Sequence, residues 1–121
     1  MELITSHYCM GKDVGVHGNL FGGTMLAWLD EAGAIFAMQT AKSDKVVTLK
    51  VSDVRFRQPV RANDVVMIYG TCLKVGSPTI SIQLTVKRKN MINFEEQTVC
   101  EADMVFVNVN ENGKPTPIKK E

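Results

Sequence analysis

The sharpest pattern in the chain lies between Thr79 and Lys87, where Ile80, Ile82, Leu84 and Val86 alternate with Thr79, Ser81, Gln83, Thr85 and Lys87. That period of two predicts a strand with one dry and one wet face. Val65 to Val75 is rich in β-branched residues and predicts a second strand, joined to the first by a Gly76-Ser77-Pro78 turn. Gln97 to Val109 predicts a further long strand. Between Lys45 and Arg57 the apolar set Val47, Leu49 and Val51 shifts phase to Val54 and Phe56, so a strand with a bulge near Ser52-Asp53 is expected. Residues 2–10 predict a short opening strand, and Asn110 to Glu121, with Asn112-Gly113 and two prolines, a turn and a frayed end.

One segment reads differently. From Leu20 to Met38 the only ionisable side chains are Asp30 and Glu31. Two carboxylates in the middle disfavour a membrane span, each costing about 2.5–3.5 kcal/mol there, so a buried helix from Gly22-Gly23 to about Ala41 is expected. The element order is then β, α and four strands. Strands of this length match a helix about 30 Å long, and a curved antiparallel sheet wrapped around one central helix buries the most. Such an α+β arrangement leaves edges and one face uncovered, which predicts association of two copies.

Composition narrows the function. With 14 Lys+Arg against 13 Asp+Glu, the net charge of +1 offers no nucleic-acid footprint, and Lys87-Arg88-Lys89 is the densest basic cluster. At 121 residues a single domain with one core is expected, with a folded surface of roughly 6,500 Å². Cys9, Cys72 and Cys100 are odd in number and far apart, which argues against a disulfide framework and against a metal site. Met1-Glu2-Leu3-Ile4-Thr5 lacks a basic region leading into an apolar one, so a cytoplasmic location is expected, with no membrane or nucleic-acid partner. Neither a Ser-His-Asp nor a Cys-His arrangement is evident, and no Walker or dinucleotide glycine motif appears.

On a helical projection Asp30 shares its face with Gly23, Leu26, Ala27, Gly33, Ala34, Ala37 and Ala41, all apolar and nearly all small. Met25, Leu29 and Phe36 form a separate bulky stripe for packing on the sheet. A thin object, either a second helix or an extended ligand, can approach Asp30. That carboxylate either caps or pairs across an interface or does chemistry. Glu31 lies beside it, with Thr24, Trp28, Ile35 and Met38. Ahead of the helix, paired glycines leave unpaired backbone N–H groups approachable, the geometry of an oxyanion site.

His17-Gly18-Asn19-Leu20-Phe21-Gly22-Gly23, followed after six residues by Asp30-Glu31-Ala32-Gly33-Ala34-Ile35, resembles the signature of hotdog-fold acyl-CoA thioesterases. The resemblance continues through Val46-Val47-Thr48-Leu49, Pro59 to Val66 and Lys74-Val75-Gly76-Ser77, and covers roughly residues 10–110. It implies a hotdog fold, acyl-CoA hydrolysis to free fatty acid and coenzyme A without a further cofactor, and a homodimer, with a tetramer or hexamer as further assemblies. It implies Asp30 as catalytic carboxylate, with Asn19 orienting the carbonyl or the water. The backbone N–H of Gly23 would polarise the carbonyl, and Thr48 would come from the neighbouring subunit. His17, Gly22, Gly76, Ser77 and Arg57 are the implied substrate-binding residues, Arg57 with Arg55 and Arg61 toward the nucleotide phosphates. A non-catalytic acyl-CoA-binding hotdog protein and a hotdog dehydratase or hydratase are the alternatives.

Overall fold

The computed structural model describes residues 1–118. Five strands and one long helix follow in the expected order: β1 (Glu2–Tyr8), α1 (Gly22–Ala41), β2 (Val46–Phe56), β3 (Val65–Val75), β4 (Thr79–Lys89) and β5 (Glu96–Asn108), with one 3₁₀ turn at Gly11–Asp13. The strands form a single antiparallel sheet in the order β1-β3-β4-β5-β2. The two edges are therefore the first two strands of the chain, and the three central ones are those with the cleanest alternation. Ile80, Ile82, Leu84 and Val86 of β4 are fully buried, as are Val66 and Ile68 of β3, and together with Met104 and Phe106 of β5 they make the floor under the helix.

α1 begins at the glycine pair and ends at a left-handed Lys42, whose backbone N–H returns to the Met38 carbonyl, a common way to satisfy a terminal carbonyl. Its bulky stripe, Met25, Leu29 and Phe36, is buried on the sheet as the projection requires. The small-residue face is only half open. Gly23, Leu26, Ala27 and Asp30 are exposed, whereas Gly33, Ala37 and Ala41 are buried, because the sheet curls over the second half of the helix. A Cβ on Gly33 would lie 2.9 Å from both Met104 and Phe106. Any side chain there overpacks the core, at a cost of about 1–3 kcal/mol. β1 is held to the helix by His7, whose ring stacks on Trp28 at 4.4 Å between centroids.

The phase shift in β2 is a bulge. Ser52 pairs with Asp103 and Arg55 with Glu101, so one extra residue is inserted on β2, and Asp53 takes a positive φ of 49° to accommodate it. The chain end differs from its expectation. Val109 bridges Pro115, and the Asn108 side chain donates to the Thr116 and Pro117 carbonyls, so residues 110–118 fold back against β5 instead of fraying. An asparagine side chain with its own β5 backbone already paired supplies donors that pattern analysis does not register. The last three residues of the expected frayed end, 119–121, lie outside the described residues.

β2 is an exposed edge. Val47, Leu49, Val51 and Phe56 are 48%, 60%, 43% and 55% exposed, and Leu26 on the neighbouring helix face is 41% exposed. The accessible surface of 7190 Å² exceeds the roughly 6,500 Å² expected for a self-contained chain of this mass. An apolar edge strand beside an open helix face accounts for such an excess. No helix among the described residues is long and apolar enough to cross a membrane.

Candidate active site

Asp30 projects from the middle of α1 over the inner face of β2, and Thr48 stands opposite. Thr48 Oγ1 donates to Asp30 Oδ1 at 2.7 Å. Both residues belong to one chain and meet within it. The reason is the antiparallel course of α1 and β2, which brings position 48 alongside the helix centre. The bond fixes one carboxylate oxygen and leaves Oδ2 as a further acceptor. Both side chains are exposed in the single chain.

The helix mouth is a second centre. No side-chain oxygen caps it and no acidic residue lies in its first turn. The first intrahelical bond runs from Met25 N–H to the Phe21 carbonyl at 3.0 Å. The N–H groups of Gly22 and Gly23 precede it, in the orphan set that every α-helix leaves at its start. Asn19, Gly22, Met25, Phe56, Arg57 and Val60 are among the walls of a cleft of about 380 Å³ beside this mouth. Asp30 does not border it. His17 sits exposed at the tip of the preceding turn, where Gly18 N–H bonds the Gly15 carbonyl at 2.9 Å.

Gly76 and Ser77 form a third group at the β3–β4 turn, closed by Gly76 N–H to the Thr79 carbonyl at 2.7 Å. Pro78 beside them accepts from the Asn108 backbone at 2.9 Å, and the Asn108 side chain accepts from Ser43 just past the helix end. This turn therefore lies at the C-terminal end of α1, a helix length from the same chain's mouth. A larger hollow of about 930 Å³ opens nearby between Lys42, Ser43, Lys45 and the returning tail.

Arg57 is paired in this structure. Its Nε donates to Glu101 on β5, although its stem still walls the cleft. The sequence could not show this, since Glu101 is 44 residues away. Sequence reasoning also passed over Phe56, Val60 and Val99 as cleft walls. For Phe56 and Val60 the only signal was their place beside or within the Pro59–Val66 motif, and for Val99 there was none. Thiol chemistry is poorly served. Burial pushes the Cys100 thiol up to about 11 and raises that of Cys9, so both are neutral near pH 7 and lack the thiolate a nucleophile needs.

These elements define a hotdog-fold protein with a carboxylate on its central helix, and the chain belongs to the thioesterase superfamily, whose sequence profile matches residues 17–94. The acyl-CoA thioester hydrolase YciA of Salmonella typhimurium is 34% identical over 120 residues, which cover 97% of this chain and 90% of that protein. A hexameric thioesterase from Yersinia pestis, y2039, superposes with a TM-score of 0.92 at 32% identity, over 99% of this chain and 97% of the other. HI0827, a hexameric broad-specificity acyl-coenzyme A thioesterase crystallised as an aspartate-to-alanine variant, superposes with a TM-score of 0.94 at 34% identity, over 98% and 87%.

Proposed function

We propose that this protein hydrolyses acyl-CoA thioesters, and that each active site pairs the Asp30–Thr48 couple of one protomer with the helix mouth of a second. The observation that carries the pairing is the Thr48–Asp30 bond within one chain, remote from that chain's own cleft. Gly23 and Asp30 share a helix face but are seven residues apart, about 10 Å along the axis. A carbonyl held by an N–H and attacked by a water on a carboxylate spans only about 6–8 Å. Two antiparallel helices related by a two-fold axis at Leu26–Ala27 place Gly23 of each beside Asp30 of the other. Leu26 and otherwise small side chains face the axis, and the exposed β2 edges meet in the same assembly. The relatives' hexamers fit three such dimers.

In this site Asp30 Oδ2 takes a proton from water as the oxygen attacks the thioester carbon. The partner protomer's Gly23 N–H, supported by its helix dipole, holds the oxyanion, and Asn19 beside it orients the carbonyl. The C–S bond then breaks, and the departing coenzyme A thiolate takes the proton from Asp30 to leave as the thiol. Thiolate is a good leaving group, so a carboxylate and one N–H suffice. Gly22 and His17 border the entry, and the Gly76-Ser77 turn of a protomer meets the coenzyme A arm. A cytoplasmic location belongs to the same proposal. Purified protein is expected to release free thiol from short, medium or long acyl-CoAs with multiple turnovers. Stoichiometric binding without release would make it an acyl-CoA-binding protein, and water addition to or loss from an enoyl or hydroxyacyl thioester would make it a hydratase.

A further inference from the structure

In the segment joining β2 to β3, residues 57–60 form one wall of the cleft, which the helix mouth at Gly22 and Met25 also lines. Its fastening is specific. The N–H groups of Arg57 and Gln58 both reach the Val99 carbonyl, at 2.8 and 3.3 Å. Pro59 has no N–H to give, so its carbonyl is the handle by which the middle of the segment can be gripped. Arg88 on β4 grips it: Nη1 donates to the Pro59 carbonyl while Nη2 donates to Gln97 Oε1 at 2.7 Å. Gln97 lies directly across the β4–β5 ladder from Arg88 and so holds the guanidinium plane in register. The next residue, Val60, is buried, and its carbonyl accepts the Leu20 N–H at 2.7 Å. Asn19 bridges Arg61 in the same place. Two residues beyond Leu20 the helix begins.

From this continuous path we infer that Arg88 is a positioning residue for the hydrolysis, setting the helix mouth through Pro59, Val60 and Leu20 without touching substrate. The inference rests on the proposed use of that mouth as the oxyanion donor. An oxyanion donor must stand about 2.7–3.1 Å from the developing charge, so a mouth that drifts loses rate before it loses binding. A planar fork with two donors does this; an ammonium on a flexible stem lacks the fixed plane that holds both bonds together.

The test compares Arg88→Met, Arg88→Lys and Gln97→Leu with the parent and with Asp30→Asn, measuring kcat, KM and thermal midpoint, together with amide exchange at Leu20 and Leu29. Arg88→Met is expected to lower kcat about tenfold or more with KM within about threefold, and to speed exchange at Leu20 but not at Leu29. Arg88→Lys should recover part of the loss, and Gln97→Leu should fall in the same direction by less. An unchanged kcat in folded Arg88→Met, or a lowered thermal midpoint with full turnover per folded site, overturns the inference. Should Arg88→Met not fold, Arg88→Lys and Gln97→Leu decide by the same two criteria. If Asp30→Asn keeps parental turnover, the proposed Asp30 site fails; if it is inactive while every Arg88 and Gln97 variant keeps kcat, only the role of Arg88 fails.

Discussion

Replacing Asp30 with asparagine is expected to lower kcat by about two orders of magnitude or more while acyl-CoA still binds. The substitution is nearly isosteric. The amide oxygen it introduces can still accept from Thr48 Oγ1, which in the parent sits 2.7 Å from the carboxylate, so the helix and β2 keep their spacing. What disappears is the group that takes the proton from water. Steady-state turnover with calorimetric titration of a non-hydrolysable acyl-CoA analogue separates the two effects. Parental kcat in the variant would remove Asp30 from the chemistry, and loss of binding with kcat intact would make it a substrate contact.

A loss of similar size is expected from breaking the seam without touching the site. Leu49→Lys with Val51→Lys places two charges on the exposed edge of β2, where lysines block strand pairing. Both parent side chains are largely exposed in the single chain, 60% and 43%, so each protomer should keep its own fold to within about 1 kcal/mol. Light scattering should report monomers, and kcat should fall about a hundredfold because no site is complete, recovering as protein concentration is raised. Fully active monomers at every concentration would show that one chain suffices.

Much of this architecture could be read from pattern alone, for a physical reason. Period-two alternation and a glycine-led apolar run report burial directly, so the helix from Gly22 to Ala41 and the strands at 65–75 and 79–89 emerge close to their observed limits, as does the bulge at Ser52-Asp53. Side-chain pairings at long range leave no such trace. Arg57 to Glu101 and Arg88 to Pro59 depend on which strands neighbour one another, and a tail that pattern marks as frayed is tied down by Asn108 through a bond only eight residues along the chain. The site shows the same division. Asp30 stands out because a carboxylate on a face of small residues is costly without a purpose. That Thr48 meets Asp30 within the chain is a matter of three-dimensional distance, which no pattern along the sequence reports.

The carboxylate and the helix mouth of one active site are proposed to come from different copies of the chain, and hybrid dimers test this directly. Gly23→Pro removes the mouth's N–H in a first helical turn that tolerates proline, and Asp30→Asn removes the base. Each variant alone should be nearly inactive. Co-refolded in equal amounts, they should regain about a quarter of parental turnover, since half the dimers are hybrids with one complete site of two. A mixture of Asp30→Asn with Thr48→Ala should gain nothing beyond its components, because those residues act within one chain. Recovery in the second mixture and none in the first would contradict the shared site.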